Sequence, residues 1–140
     1  MAAGSGNFEY HLKKRVKSID AVDLSDDMVA SMKSEFKGTN VNVLKADIRN
    51  TGLKTGKYDV VLLIMSLHHV SDAESCIREV HRLLRRGGEF ILIDRLSKNK
   101  FLNRIYDKTG GDIKDKGKGH HFRKRKDIEK QARKYFIINK

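Results

Sequence analysis

Along this chain the apolar positions switch repeatedly between a helical and a strand-like period, and the switching sets the order of elements. Phe8, Leu12 and Val16 recur every four residues, which predicts a helix directly after Gly6, with Lys13, Lys14, Arg15 and Lys17 near its negative end. Ile19 to Leu24 reads as a buried strand. Ser25 is a good N-cap, and Asp26 and Asp27 fill the first turn. Met28, Val29, Met32 and Phe36 then form an apolar face until Gly38 stops the helix. Val41, Val43 and Lys45 alternate with Asn42, Leu44 and Ala46 in a strand ending at Asp47. Thr51 to Lys57 has no apolar period and reads as a loop. Tyr58 to Met65 is a near-continuous apolar run, as expected of a strand covered on both faces of a parallel sheet. Ser71 and Glu74 form a capping box. The helix it opens buries Cys76, Ile77, Val80, Leu83 and Leu84 and ends at Gly87, and Glu89 to Asp94 is the next strand.

Strands alternating with amphipathic helices across short loops imply right-handed crossovers. The expected fold is therefore α/β and Rossmann-like, a doubly wound, mostly parallel sheet with helices on both faces. Residues 1–94 hold the core, and residues 95–140 are expected to complete the same domain as a basic extension. Within that extension Phe101 to Tyr106 suits a short helix, Thr109 to Gly119 should be mobile, Asp127 to Lys134 suits a final helix, and Tyr135 to Ile138 is a candidate terminal strand.

Composition changes this picture in one respect. Residues 1–94 carry 14 Lys and Arg against 13 Asp and Glu, whereas residues 95–140 carry 16 against 5, so almost all of the net charge of +12 sits in the tail. That asymmetry suggests an anionic partner, either RNA or a phosphorylated small molecule; a merely solvated Lys-rich face is the competing reading. No run of apolar residues is long enough to span a membrane and no leader is evident, so a cytoplasmic location is expected. The single Cys76 excludes an internal disulfide and reads as a buried helix residue. His68-His69 and His120-His121 are poor metal sites, because adjacent side chains diverge; no metal is expected.

Candidate chemistry lies at the strand ends. Gly4 and Gly6 let backbone approach a ligand without an intervening side chain, and the helix start behind them favours an anionic group. Asp23 follows Gly6 by 17 residues at the end of a strand, where a carboxylate can accept both hydroxyls of a ribose. Position 9 is glutamate, so the third glycine of a nicotinamide-binding fingerprint is missing.

The ordered series Gly4-Ser5-Gly6, Val22-Asp23-Leu24-Ser25, Lys45-Ala46-Asp47-Ile48, Ser66-Leu67-His68-His69-Val70 and Gly87-Gly88 resembles the class I S-adenosylmethionine (SAM) dependent methyltransferases, of the type 11, UbiE-like kind. The resemblance covers residues 2–94. It implies SAM as cofactor, with Gly4, Gly6, Asp23, Leu24, Asp47, Ile48 and Met65 around it; Asp47 would accept from the adenine amino group and Ile48 would pack near the ring. It also puts Met65 to His69 at the mouth where methyl group and acceptor meet, which makes His68 and His69 candidate bases for an acceptor that must lose a proton. The acceptor, a small molecule or RNA, is not specified by the motifs. Without proline the chain cannot carry the amino-methylating Asn/Asp-Pro-Pro signature.

Two elements of the resembled family lack a counterpart. A central strand should precede the glycines, but only Met1, Ala2 and Ala3 do, and Ala2 occupies the place of the motif's first glycine. The last antiparallel strand is likewise unmatched, so the chain is expected to be truncated at both ends. The strands on either side of the gap would keep unpaired edges, so the chain is expected to be unstable or to self-associate, with Tyr135 to Ile138 as a donated strand. An inactive remnant serving as a basic binding or regulatory module is the alternative, and a nicotinamide-dependent oxidoreductase a weaker third reading.

Overall fold

The computed structural model describes residues 1–94 and 124–138. In chain order the elements are helix α1 (Asn7–Leu12), strand β1 (Ile19–Asp23), helix α2 (Asp26–Glu35), strand β2 (Val41–Lys45), strand β3 (Tyr58–Ile64), a 3₁₀ turn (Leu67–His69), helix α3 (Ala73–Leu83), strand β4 (Leu84–Ile93) and helix α4 (Arg125–Ala132).

The four strands among the described residues form two parallel pairs. β1 lies beside β2 with Ile19 opposite Val41 and Asp23 opposite Lys45, and β3 lies beside β4 with Val60 opposite Glu89 and Ile64 opposite Ile93. The pairs are separate two-stranded sheets, β1-β2 and β3-β4, with no strand between them among the described residues. Two devices hold the halves together. On one side the first residues bridge them: the Met1 amino group donates to the Leu62 carbonyl at 2.8 Å, and the Ala3 N–H donates to the Val22 carbonyl at 2.9 Å. On the other, Asp20 of β1 accepts from the Tyr58 hydroxyl at 2.5 Å and from Lys57 Nζ at 2.7 Å, while its second oxygen accepts from Asn42 at 3.0 Å.

Each pair has its own core. Ala21, Met32, Phe36 and Val41 fill the space between α2 and the first pair. Ile48, Leu63, Leu67, Cys76, Ile77 and Ile128 join α3 and α4 to the second pair, and Val61, Val80, Leu83 and Leu84 continue that core. Buried Glu79 clasps the loop before β3, accepting from the Thr51 N–H at 2.9 Å and its hydroxyl at 2.6 Å; paired with Arg82, its carboxyl is pulled down to about 2.

Several expectations are corrected. α1 stops at Leu12 and buries none of its residues, leaving Phe8, Tyr10 and Val16 exposed. The Asn40 side-chain amide collects the carbonyls of Lys13, Val16 and Lys17, which ends the helix. The cap of α3 is Asp72, which accepts from the Ser75 N–H at 3.0 Å, and not Ser71. β3 is covered on one face only: Val61 and Leu63 are buried, whereas Val60 is 45% exposed and the neighbouring Ile93 of β4 is 52% exposed. β4 begins directly after α3, and between Leu84 and Glu89 the register shifts so that Arg85 to Gly88 loop out. Tyr135 to Ile138 is no strand. Tyr135 and Phe136 pack against His81 and Phe90 of this same chain, with ring centroids 5.4–5.6 Å apart, so they are not available for donation. The expected helix over Phe101 to Tyr106 and the mobile stretch from Thr109 to Gly119 lie outside the described residues.

Candidate functional site

The four described strands run parallel within their pairs, and the carboxyl ends of β1, β2 and β3 each deliver a segment singled out by sequence. The loop of Gly4 to Gly6 is tied to the end of β1: the Gly4 N–H donates to Asp23 Oδ2 at 2.8 Å, and Ser25 N–H donates to Asp23 Oδ1 at 2.9 Å. Each carboxylate oxygen therefore keeps a lone pair for a further donor. Asp23 thus sets the loop's position and still faces outward as a partly exposed acceptor.

The two glycines differ. Gly4 has φ +58° and a Cβ added there would meet nothing within 4 Å, so its bare side opens onto free space. Gly6 has φ +83°, but its Cβ would lie 2.6 Å from the Phe36 ring, which makes it a packing glycine against α2. Ala2 has φ +52°, a left-handed conformation that costs a side chain about 1–2 kcal/mol. A glycine would adopt it without strain, which is the physical content of the glycine expected at that place in the motif.

At the end of β2, Asp47 is engaged by Arg49, whose Nε and Nη2 donate to it at 3.0 and 2.5 Å and whose N–H adds a third bond at 2.8 Å. Those bonds hold the carboxyl below the usual carboxylate range. An adenine amino group would have to share or displace Arg49. Ile48 is buried in the core beside Leu63 and Leu67, so its side chain packs inward and not on an open ring-binding surface. Leu24 is 61% exposed and lies next to Asp23.

At the end of β3 the backbone turns sharply. Met65 has φ +49°, donates its N–H to the Ile93 carbonyl at 2.7 Å, and leaves its side chain exposed. The turn that follows is organised by Asp94 at the end of β4. Its Oδ2 accepts from the N–H groups of Ser66, Leu67 and His68 at 3.0, 2.6 and 3.3 Å, while Oδ1 meets His68 Nδ1 at 2.6 Å. His68 and Asp94 are nearly sealed, with side chains 5% and 2% exposed. His68 is therefore an interior residue, whereas His69 is exposed, its ring 4.0 Å from that of His68. The Ser66 hydroxyl reaches the Ala2 carbonyl at 3.3 Å, joining this turn to the glycine loop.

Sequence reasoning gave no role to Asp94 or Arg49. The signal available for Asp94 was an acidic residue at a strand end, the same feature that marked Asp23. Among the described residues no group of three or more His, Cys, Asp or Glu side chains could hold a metal. A groove of about 240 Å³ beside Lys33, Phe36 and Gly38 lies on the flank of α2 and β2, away from these strand ends, and includes none of the candidate residues.

Parallel strand pairs flanked by helices, with a glycine loop, a strand-end carboxylate and an exposed turn at their carboxyl ends, define a Rossmann-like α/β protein. Residues 1–92 match the family model described as a methyltransferase domain, Methyltransf_11, and the chain belongs to this class I SAM-dependent methyltransferase family. It is 28% identical over 98 residues to a demethylmenaquinone methyltransferase of Thermus thermophilus, covering 67% of this chain and 44% of that protein. It is 26% identical over 115 residues to the ubiquinone/menaquinone biosynthesis C-methyltransferase UbiE of Shewanella sediminis, covering 76% of this chain and 46% of the relative. The chain thus spans less than half the length of these curated relatives. Among solved structures, a putative methyltransferase from Bacillus halodurans superposes with a TM-score of 0.84 at 21% identity, over 96% of this chain and 59% of that one. No helix among the described residues is long and apolar enough to cross a membrane.

Proposed function

We propose that this chain carries the SAM-binding edge of a methyltransferase and transfers a methyl group to a small-molecule or RNA acceptor. The observation that supports it best is the linked set at Asp23: a strand-end carboxylate with acceptor capacity left on both oxygens, bonded to a glycine whose missing side chain faces open space. These features fit a ribose beside Asp23 and the cofactor's amino-acid portion beside Gly4. The fit at Asp47 is conditional on Arg49 moving aside.

When bound, SAM supplies a methyl carbon already activated by its sulfonium. The residues of the chain then have to orient and shield. Asp23 and Gly4 hold the cofactor; Met65, exposed on its strained turn, walls the space where the acceptor arrives. Asp94 keeps that turn fixed through its three backbone bonds. If the acceptor must lose a proton, exposed His69 is better placed to take it than buried His68. Since proximity supplies much of the barrier reduction in such a displacement, rigidity of the turn matters more than a base.

Calorimetric titration of the chain with SAM and with S-adenosylhomocysteine tests the reading. Micromolar binding of both is expected, and Asp23→Ala should weaken it by about 1.5–3 kcal/mol, the scale of a hydrogen bond to a charged group. A folded chain that binds neither compound supports the alternative, a basic binding module without cofactor.

A further inference from the structure

We propose that the outward face of α4 is a docking stripe for the phosphodiester backbone of an RNA strand. The inference is independent of cofactor binding and stands or falls separately from it.

The helix has two distinct faces. Ile128 is buried in the core with Leu67 and Ala73, and Ala132 and Tyr135 pack at its edge. Turned away from that core are Lys126, Lys130 and Arg133, at spacings of four and three residues, all exposed. On a straight helix they span about 10 Å. Two of the nearby carboxylates are already used: Arg125 pairs with Glu129 at 2.6 Å, and Lys134 reaches Glu74 at 2.5 Å. No described carboxylate pairs with Lys126, Lys130 or Arg133. At the amino end, Lys124 stands at the cap position and Arg125 and Lys126 in the first turn, against the positive pole of the helix, with Asp127 as the acidic residue there. Cations in that position oppose the helix dipole. An external anion relieves the conflict.

The chemistry of the other face narrows the partner. A helix that binds a lipid surface needs an apolar side to insert beside its cations. Here that side is committed to the core. What remains is a row of three cations with Asp127 beside it, suited to consecutive phosphates of one unpaired strand, and RNA is the nucleic acid that cells hold unpaired. The buried face of α4 packs with Leu67 and Ala73, so the helix is anchored beside the Met65 to His69 turn while the stripe faces away from it.

The test is fluorescence anisotropy of the full chain with a labelled 20-nucleotide oligo-uridine over a salt series, with anionic phosphatidylserine vesicles measured in parallel. Three phosphate contacts predict that Lys126→Gln, Lys130→Gln and Arg133→Gln together flatten the slope of log K against log salt by about 2, since each single-strand contact contributes about 0.7. Binding at low salt should fall at least about tenfold. A charge-matched control, Lys14→Gln with Arg15→Gln and Lys17→Gln, should leave the slope unchanged. If the α4 triple variant loses its helical circular dichroism, Lys130→Gln alone should flatten the slope by about 0.7. Equal effects of the two triple variants, no oligo-uridine binding by the parent, or binding to vesicles in preference to RNA would overturn the proposal.

Discussion

Cutting the polar latch between the two sheet halves should destabilise the whole chain. Asp20 sits on β1 and Tyr58 opens β3, and they meet at 2.5 Å although no backbone ladder joins their strands. The Asp20 side chain is only 10% exposed, so the bond is sheltered, whereas its Lys57 partner is 49% exposed and contributes about 0–1 kcal/mol. A hydrogen bond to a charged group is worth about 1.5–3 kcal/mol. Tyr58→Phe removes one of three donors to Asp20, so a loss of about 1.5 kcal/mol is expected, with Asp20→Ala costing more. In a double-mutant cycle followed by urea unfolding, the two substitutions should couple by about 1 kcal/mol or more. Additivity within about 0.5 kcal/mol would refute the latch. The pH dependence gives a second reading. Although burial pushes the Asp20 carboxyl up, the bonds from Lys57, Tyr58 and Asn42 outweigh it and hold the carboxyl below its ordinary value. A depressed folded value means the stabilisation is complete above the unfolded pKa of about 3.9 and is lost as pH falls through the folded one. The difference between parent and Asp20→Ala should therefore be constant near neutrality and shrink below about pH 4.

Gly88→Ala should destabilise the chain by about 1–3 kcal/mol, since its Cβ would stand 3.0 Å from the carbonyl oxygens of Tyr58 and Asp59, where backbone cannot yield cheaply; thermal melting checks this. Self-association remains a proposal on the open edges of β1 and β3, with Tyr135 to Ile138 no longer the donor. Sedimentation should show concentration-dependent dimers, and a cooperative monomer at every concentration would mean that the Met1 to Ala3 bridge and the latch suffice.

The alternation of periods made the strands and helices legible, because each strand is a compact apolar run and each packed helix has one apolar stripe. Asp23 was legible for the same local reason, as an acidic residue ending such a run. What escaped depends on pairs far apart in sequence. Asp94 lies 26 residues from His68, and Asp20 lies 38 from Tyr58. No local pattern signals either meeting. α1 misled because periodicity reports that a face is apolar, not that a surface exists to receive it; Phe8 and Val16 are left exposed. The Ser71-to-Asp72 change of cap is a contest between two good capping residues one position apart, and only the chain's approach to α3 decides it.

The bridge made by Ala2 and its neighbours has a thermodynamic consequence. Ala3 is bonded to β1, the Ala2 carbonyl to the turn after β3, and Gly4 to Asp23, so the proposed cofactor groups at Asp23 and Gly4 meet the Met65 turn only when both sheet halves are joined. Joining and binding are then linked equilibria. The measured affinity is the intrinsic one diminished by the fraction of molecules already joined, and added ligand raises that fraction in return. A chain joined only one time in ten would bind about tenfold more weakly than its site geometry allows. It would also gain in melting temperature with ligand concentration, the signature of a site assembled by what it holds.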